Sequence, residues 1–148
     1  MTKSVKKHIR IVIFILIALT GLNSARGADW IFIGKSKDGN KYSFVDQNGI
    51  REKTEDIVTS CQKYSYVNPI LFDQIKKPVI EMVVYQEWNC DEEKYNNLQL
   101  TFYYTDGTKE TETYTEALWH YVRPDTLEHD ICDYVCGQEL GDGNGPGH

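Results

Sequence analysis

The sequence has no hydrophobic run long enough to cross a bilayer. Its longest apolar stretch, 11–22, has twelve residues, whereas a membrane-spanning helix needs about 20. Small residues, Ala25 and Gly27, stand three and one positions before Ala28, and four basic side chains precede the apolar stretch: Lys3, Lys6, Lys7 and Arg10. This order of charge, apolar run and small residues is typical of a secretory signal peptide. We therefore predict that residues 1–27 are a cleaved leader, and that no membrane span is left after cleavage.

Basic side chains are scarce beyond the predicted leader. Residues 1–27 hold five basic and no acidic side chains, so their removal leaves 11 basic and 22 acidic ones and moves the net charge from −6 to −11. Such a charge repels phosphate backbones and anionic membranes. We therefore expect an exported acidic domain that does not bind nucleic acid. No cysteine follows the apolar stretch directly, so the lipid-attachment site of bacterial lipoproteins is missing as well.

Sequence motifs of common enzymes are also missing. The chain has no Gly-x-Ser-x-Gly, no His-Glu-x-x-His and no glycine-rich phosphate loop. The weak candidates for a metal or haem ligand are His120 and His129, which are isolated in the sequence. We therefore predict a protein that is not an enzyme and that needs no cofactor or metal.

Four cysteines, Cys61, Cys90, Cys132 and Cys136, all follow the leader. An even number of cysteines in an exported chain predicts disulfides. Zinc is disfavoured because its sites usually begin with two ligands two to four residues apart on a tight turn. We expect two bridges in a single domain of ordinary size.

Period-two segments dominate the domain and predict β-strands. The clearest are 79–89 and 97–105, which are rich in β-branched and aromatic residues. Asp106-Gly107 then predicts a hairpin with a two-residue loop. In that register the apolar side chains of the second strand, such as Phe102, share one face, and Tyr103 and Tyr114 lie together on the wet face. The pattern predicts an antiparallel sheet that is covered on one side.

One C-terminal helix is predicted to cover the sheet. Asp125 or Thr126 is a suitable N-cap, and an apolar stripe repeats every four residues at Leu127, Ile131 and Val135. Cys132 and Cys136 lie one turn apart beside that stripe, too far apart for a disulfide within a helix. One of them must therefore reach Cys61 and the other Cys90. The glycine-rich segment 138–148 is predicted to be a disordered tail.

Several short motifs together resemble the surface-adhesin protein E family. They are Trp30 with Ile33-Gly34, then Asp38-Gly39 and 42–46, Cys90 after a long strand, Tyr104-Thr105-Asp106-Gly107, and Trp119 with Val122-Arg123-Pro124 before a helix that ends in Cys136. The resemblance covers roughly residues 29–137. It implies an α+β fold, an antiparallel sheet of about six strands with a C-terminal helix tethered by a disulfide to one face. The implied tether is Cys90–Cys136, which leaves Cys61–Cys132 as the second bridge.

The resemblance implies a domain at 28–137 that binds a protein. We expect an exported bacterial interaction module, in the periplasm, secreted or at the cell surface, with Tyr103 and Tyr114 as candidate contacts for a protein partner. A free sheet edge could also join two copies into a homodimer. Two alternatives stay open at this point. One is a periplasmic carrier of haem or metal, or an envelope enzyme, that uses His120 or His129, and the other is an inhibitor or accessory subunit of an envelope protein.

Overall fold

The computed structural model describes residues 27–138. Apart from their boundary residues, the predicted leader (1–27) and tail (138–148) lie outside the described part of the chain. The described residues form eight strands and one α-helix, α1 (Leu127–Cys136). The strands are β1 (Trp30–Lys35), β2 (Lys41–Asp46), β3 (Arg51–Glu52), β4 (Ile57–Ile70), β5 (Val79–Asn89), β6 (Lys94–Tyr104), β7 (Lys109–Thr113) and β8 (Trp119–Tyr121).

All strands pair antiparallel in a single sheet. Its main path is β1-β2-β4-β5-β6-β7, while β3 pairs with β4, and β8 pairs with β6 beyond the end of β7. The predicted α+β architecture of about six strands and a C-terminal helix is confirmed. No helix among the described residues is long and apolar enough to cross a membrane.

Helix α1 packs on one face of the sheet, which we call the helix face. Thr126 is the N-cap as predicted, because its Oγ1 accepts a hydrogen bond from the backbone N–H of His129 at 3.2 Å. The stripe Leu127, Ile131 and Val135 is buried. The helix comes so close to β1 that a Cβ at Gly34 would lie 3.2 Å from Leu127 Cδ2. The absence of a side chain at residue 34 therefore allows the helix to lie against the sheet.

The core beneath the helix combines apolar and polar side chains. Trp88 is fully buried, and its Nε1 donates to Ser60 Oγ at 2.9 Å. With the Gln62 side-chain amide in the orientation that pairs both its oxygen and its nitrogen, its nitrogen donates to the Val84 carbonyl at 2.9 Å and to Gln86 Oε1 at 3.0 Å. Because these buried polar groups form hydrogen bonds with one another, those bonds offset the cost of removing the groups from water.

The β6–β7 hairpin differs from the prediction by one residue. Its loop has three residues, Thr105 to Gly107, with Tyr104 N–H donating to the Thr108 carbonyl at 2.9 Å. Gly107 takes a positive φ of 83°, as the last residue of a three-residue hairpin loop requires. The predicted two-residue loop is therefore wrong, and the shift turns every side chain of β7 to the other face.

The tether between helix and sheet is the bridge Cys90–Cys136, with Cα atoms 5.7 Å apart. The predicted pairing of Cys90 with Cys136 is therefore confirmed. The second predicted bridge does not form, since Cys61 and Cys132 are free. Cys61 lies opposite Tyr85 and alternates with the helix-face residue Gln62. The sheet itself therefore separates Cys61 from the helix that carries Cys132.

Candidate functional site

The face of the sheet opposite the helix is the candidate functional site, and we call it the open face. It is formed by alternate residues of the long strands, which are half-buried or exposed over most of its area. Strand pairing places the following residues on it: Trp30, Phe32, Tyr42, Phe44, Cys61, Lys63, Val83, Tyr85, Thr101 and Tyr103. Six of these side chains are aromatic, whereas a sheet face that only contacts water carries mostly polar side chains.

Aromatic side chains cluster at the β1–β2 end of the open face. Phe32 is 53% exposed, and its ring centroid lies 5.6 Å from that of Phe44 and 6.1 Å from that of Tyr42. Lys63 Nζ stands 4.8 Å from the Trp30 ring and 5.1 Å from the Phe44 ring. These distances are in the range of cation–π attraction. The ammonium and the rings therefore form one ordered, partly exposed cluster.

The lysine in this cluster carries an uncompensated charge. Among the described residues, no carboxylate lies within 4.0 Å of Lys63 Nζ. Cys61 occupies the neighbouring open-face position on β4, and burial together with the nearby Asp46 carboxylate raises the pKa of its thiol to about 11. A thiol with that pKa is protonated at neutral pH, and it contributes apolar surface rather than a nucleophile.

The opposite end of the open face is closed by polar contacts. Glu87 is buried there, with Lys53 Nζ 2.9 Å from its Oε2 and Asn96 Nδ2 donating to its Oε1 at 2.9 Å. Burial acts to raise the pKa of Glu87, but the hydrogen bonds from Lys53 and Asn96 outweigh it and leave the pKa below its ordinary value. The Leu118 backbone N–H covers Asn96 by donating to its Oδ1 at 2.9 Å. The accessible part of the open face therefore lies toward β1 and β2 and along β5 and β6.

The two predicted tyrosine contacts do not share a face. Tyr103 lies on the open face opposite Lys109, and it is half-buried. Tyr114 lies on the side of Glu112, to which its hydroxyl donates at 2.9 Å, and Glu112 is opposite the helix-face residue Leu100. The shifted hairpin register is the cause of this separation. Three further residues of the open face, Phe32, Lys63 and Tyr85, were not predicted from the sequence. The alternation of Tyr42 and Phe44 was a signal that β2 carries aromatic side chains on one side.

The two candidate histidines lie in different surroundings. His120 stacks on Tyr95, with ring centroids 5.2 Å apart. His129 is on the helix, where its Nδ1 lies 3.5 Å from an Asp133 carboxylate oxygen. Within residues 27–138, no three His, Cys, Asp or Glu side chains are grouped closely enough to hold a metal ion.

Comparison with known proteins supports the family assignment. The sequence model of the surface-adhesin protein E family matches residues 30–137. Haemophilus influenzae protein E in a second crystal form is 17% identical, with a TM-score of 0.52 over 77% of this chain and 91% of that one. Protein E from non-typeable Haemophilus influenzae is 16% identical, with a TM-score of 0.49 over 78% of this chain and 79% of that one.

No protein in the curated set matches the chain by sequence. At 17% identity, the likeness to the structure with a TM-score of 0.52 shows the fold alone, whereas the family match extends over most of the chain. The chain belongs to the surface-adhesin protein E family.

Proposed function

We propose that this protein is an exported, non-enzymatic binding module of the adhesin type, which contacts a protein partner through the open face. The observation that carries the proposal is the aromatic cluster around Lys63, left uncovered on one side of a sheet whose other side is covered by the helix. Protein interfaces are enriched in aromatic side chains at their centres. The family supports the same function, because it is a family of surface adhesins.

The contact surface that we propose runs from Phe32 through Tyr85 to Tyr103. Phe32 and Tyr85 are 53% and 39% exposed, so a partner would remove both rings from water. Burying apolar surface yields roughly 25 cal/mol per Å², and a few such rings dominate the free energy of a typical interface. The unpaired Lys63 favours a partner with an acidic group at the centre of the contact.

Export is part of the same proposal. The signal peptide at 1–27 stays a prediction, as does the position of the protein in the periplasm, outside the cell or at its surface. Amino-terminal sequencing of the protein recovered from cell fractions tests both.

A homodimer through a free sheet edge also stays a prediction, and β1 at one end of the strand order offers such an edge. Light scattering at two protein concentrations tests it.

The proposed contact is tested with variants that keep the fold. Phe32→Ser and Tyr85→Ser each remove one exposed ring from the open face. The control is Leu71→Ser, since Leu71 is 64% exposed and lies outside the open face, in the segment between β4 and β5. Each protein is immobilised, its folding is checked by circular dichroism, and capture from host-matrix and envelope extracts is quantified.

We expect each open-face variant to lose at least about tenfold of the affinity for a captured protein, since removal of an interface hot-spot side chain costs about 2 kcal/mol. The control should capture as the unmodified protein does. Equal capture by all variants would contradict a contact through the open face.

A further inference from the structure

A groove separate from the open face lies beside the start of the helix. It has a volume of about 550 Å³ and is lined by Tyr95, Trp119, His120, Tyr121, Arg123, Thr126 and Glu128. These residues come from β6, β8, the segment before the helix and its first turn. The groove is thus built by four neighbouring parts of the chain rather than by a single loop.

The floor of the groove is a rigid stack of rings. His120 stacks on Tyr95 at 5.2 Å between centroids, and Tyr95 in turn lies 5.5 Å from the fully buried Trp88. Trp119 and Tyr121 flank His120 on β8 and pair with Asn96 and Lys94, so their side chains lie on the other side of the strand, at the rim of the groove, where they are 37% and 71% exposed. Lys94 Nζ lies 4.8 Å from the Tyr121 ring. The rings of His120 and Tyr95 are therefore held in place by the core before any ligand arrives.

The polar side chains of the groove provide hydrogen bonds and one unpaired charge. Glu128 is 3.7 Å from Lys41 Nζ, which compensates its carboxylate. Among the described residues, no carboxylate lies within 4.0 Å of the Arg123 guanidinium. A guanidinium has the planar geometry to bind a carboxylate through two parallel hydrogen bonds. The groove therefore fits a ligand that carries a carboxylate.

The types of residue that line the groove favour a sugar over a protein side chain as the ligand. None of the seven lining residues is aliphatic, whereas a protein anchor is usually buried in a well-packed, desolvated pocket. Exposed ring faces beside planar hydrogen-bonding groups suit the C–H faces and hydroxyls of a sugar. The predicted net charge of −11 after leader removal disfavours a polyanion, so a sugar with a single carboxylate fits best.

We propose that this groove binds a short oligosaccharide that carries one carboxylated sugar, with a sugar ring on the exposed His120 and the carboxylate on Arg123. The proposal is independent of the open face and of the partner bound there. Two sources share this chemistry, host glycans that end in sialic acid and bacterial cell-wall fragments that contain N-acetylmuramic acid. Binding experiments with one probe from each source separate them.

The test is a titration of the ¹⁵N-labelled purified protein, followed by NMR. The probes are 3′-sialyllactose, lactose as its neutral match, and the disaccharide of N-acetylglucosamine and N-acetylmuramic acid. We expect the amide signals of residues 119–123 to shift with at least one acidic probe, which must bind about tenfold more tightly than lactose, because a charged hydrogen bond contributes about 1.5 kcal/mol or more.

Two variants and one control make the result specific. Arg123→Gln should reduce the affinity for the acidic probe to that for lactose, whereas His120→Ala should weaken binding of every sugar. The open-face variant Tyr103→Ala should bind sugars as the unmodified protein does. This control keeps failure of the groove distinguishable from failure of the open face.

Three outcomes would overturn the proposal. The first is the absence of shifts at 119–123 with any sugar up to about 10 mM. The second is equal binding of acidic and neutral sugars that Arg123→Gln does not change. The third is binding of an acidic peptide, such as Ac-Gly-Glu-Phe-Gly-amide, at this groove when no sugar binds, which would make the groove a protein contact.

Discussion

Removal of the Cys90–Cys136 bridge should destabilise the protein strongly. The two cysteines are 46 positions apart, and closing a loop of that length in the unfolded chain accounts for about 4 kcal/mol by the chain-entropy relation. The bridge joins the end of β5 to the last residue of α1, so it fixes the far end of the only covering helix among residues 27–138. We therefore expect the double variant Cys90→Ala/Cys136→Ala to lose about 4 kcal/mol of the free energy of unfolding.

Urea denaturation followed by tryptophan fluorescence measures this loss. With a slope of roughly 1.5 kcal/mol/M for a domain of this size, the midpoint should fall by roughly 2 to 3 M. The control is Cys61→Ala, which removes a thiol from the open face and leaves the bridge intact. Reductant should lower the midpoint of the unmodified protein and leave that of the double variant unchanged. A loss below about 1 kcal/mol, or an effect of reductant on the double variant, would refute this argument.

Four further results are expected. Thiol titration of the urea-unfolded protein should find two free thiols, and labelling of Cys61 in the folded protein should be slow at pH 7 because its pKa is raised to about 11; no thiols or four would contradict the bridge pattern. Trp88→Phe should cost about 1 to 3 kcal/mol in urea denaturation, since it leaves Ser60 and Gln62 without the indole donor; an unchanged midpoint would contradict the buried network. Thr126→Ala should cost about 1 kcal/mol and Thr126→Ser almost nothing, as expected for the loss and rescue of an N-cap; equal losses would argue for packing instead. Because the folded pKa of Glu87 is lowered, its stabilising contribution is present above its unfolded pKa and is lost as the pH falls through the folded value; Glu87→Gln should therefore be less stable at pH 7 and should lose less stability than the unmodified protein between about pH 5 and pH 3, as measured by urea denaturation across that range.

The local structure was largely predictable from the sequence because its signals are local. The N-cap Thr126 and the stripe Leu127, Ile131 and Val135 identify the helix and its buried face without any knowledge of the sheet. The long strands likewise follow from period-two runs of β-branched and aromatic residues. Elements with strong local patterns are therefore predictable from the sequence alone.

The pairing of Cys61 was not predictable from the same kind of pattern. Strand β4 buries Ser60 and Gln62 on the helix face and half-exposes Cys61 on the open face. Because polar residues are buried, hydrophobicity does not show which face the helix covers. The hairpin failed for a related reason, since an Asp-Gly pair occurs in two-residue and three-residue loops, and only the observed register distinguishes them.

The open face was predicted only in part. Tyr103 was among the predicted contacts and lies on the open face, but the cluster of Phe32, Phe44 and Lys63 was not predicted, because aromatic side chains in a strand usually indicate the buried face. On β2 the rule fails, as the smaller Ser43 and Val45 are buried while Tyr42 and Phe44 lie on the open face. An aromatic face left uncovered is the kind of exception that a binding surface produces.

Photo-cross-linking tests the proposed contact most directly. A photo-reactive phenylalanine analogue is placed at residue 32 or 103 on the open face, and at residue 114 or 71 as controls, in the exported protein exposed to the same extracts. We predict protein adducts from residues 32 and 103 and none from residues 114 and 71. Adducts from the control positions alone, or from no position while the extracts still yield a captured protein, would contradict a partner contact through the open face.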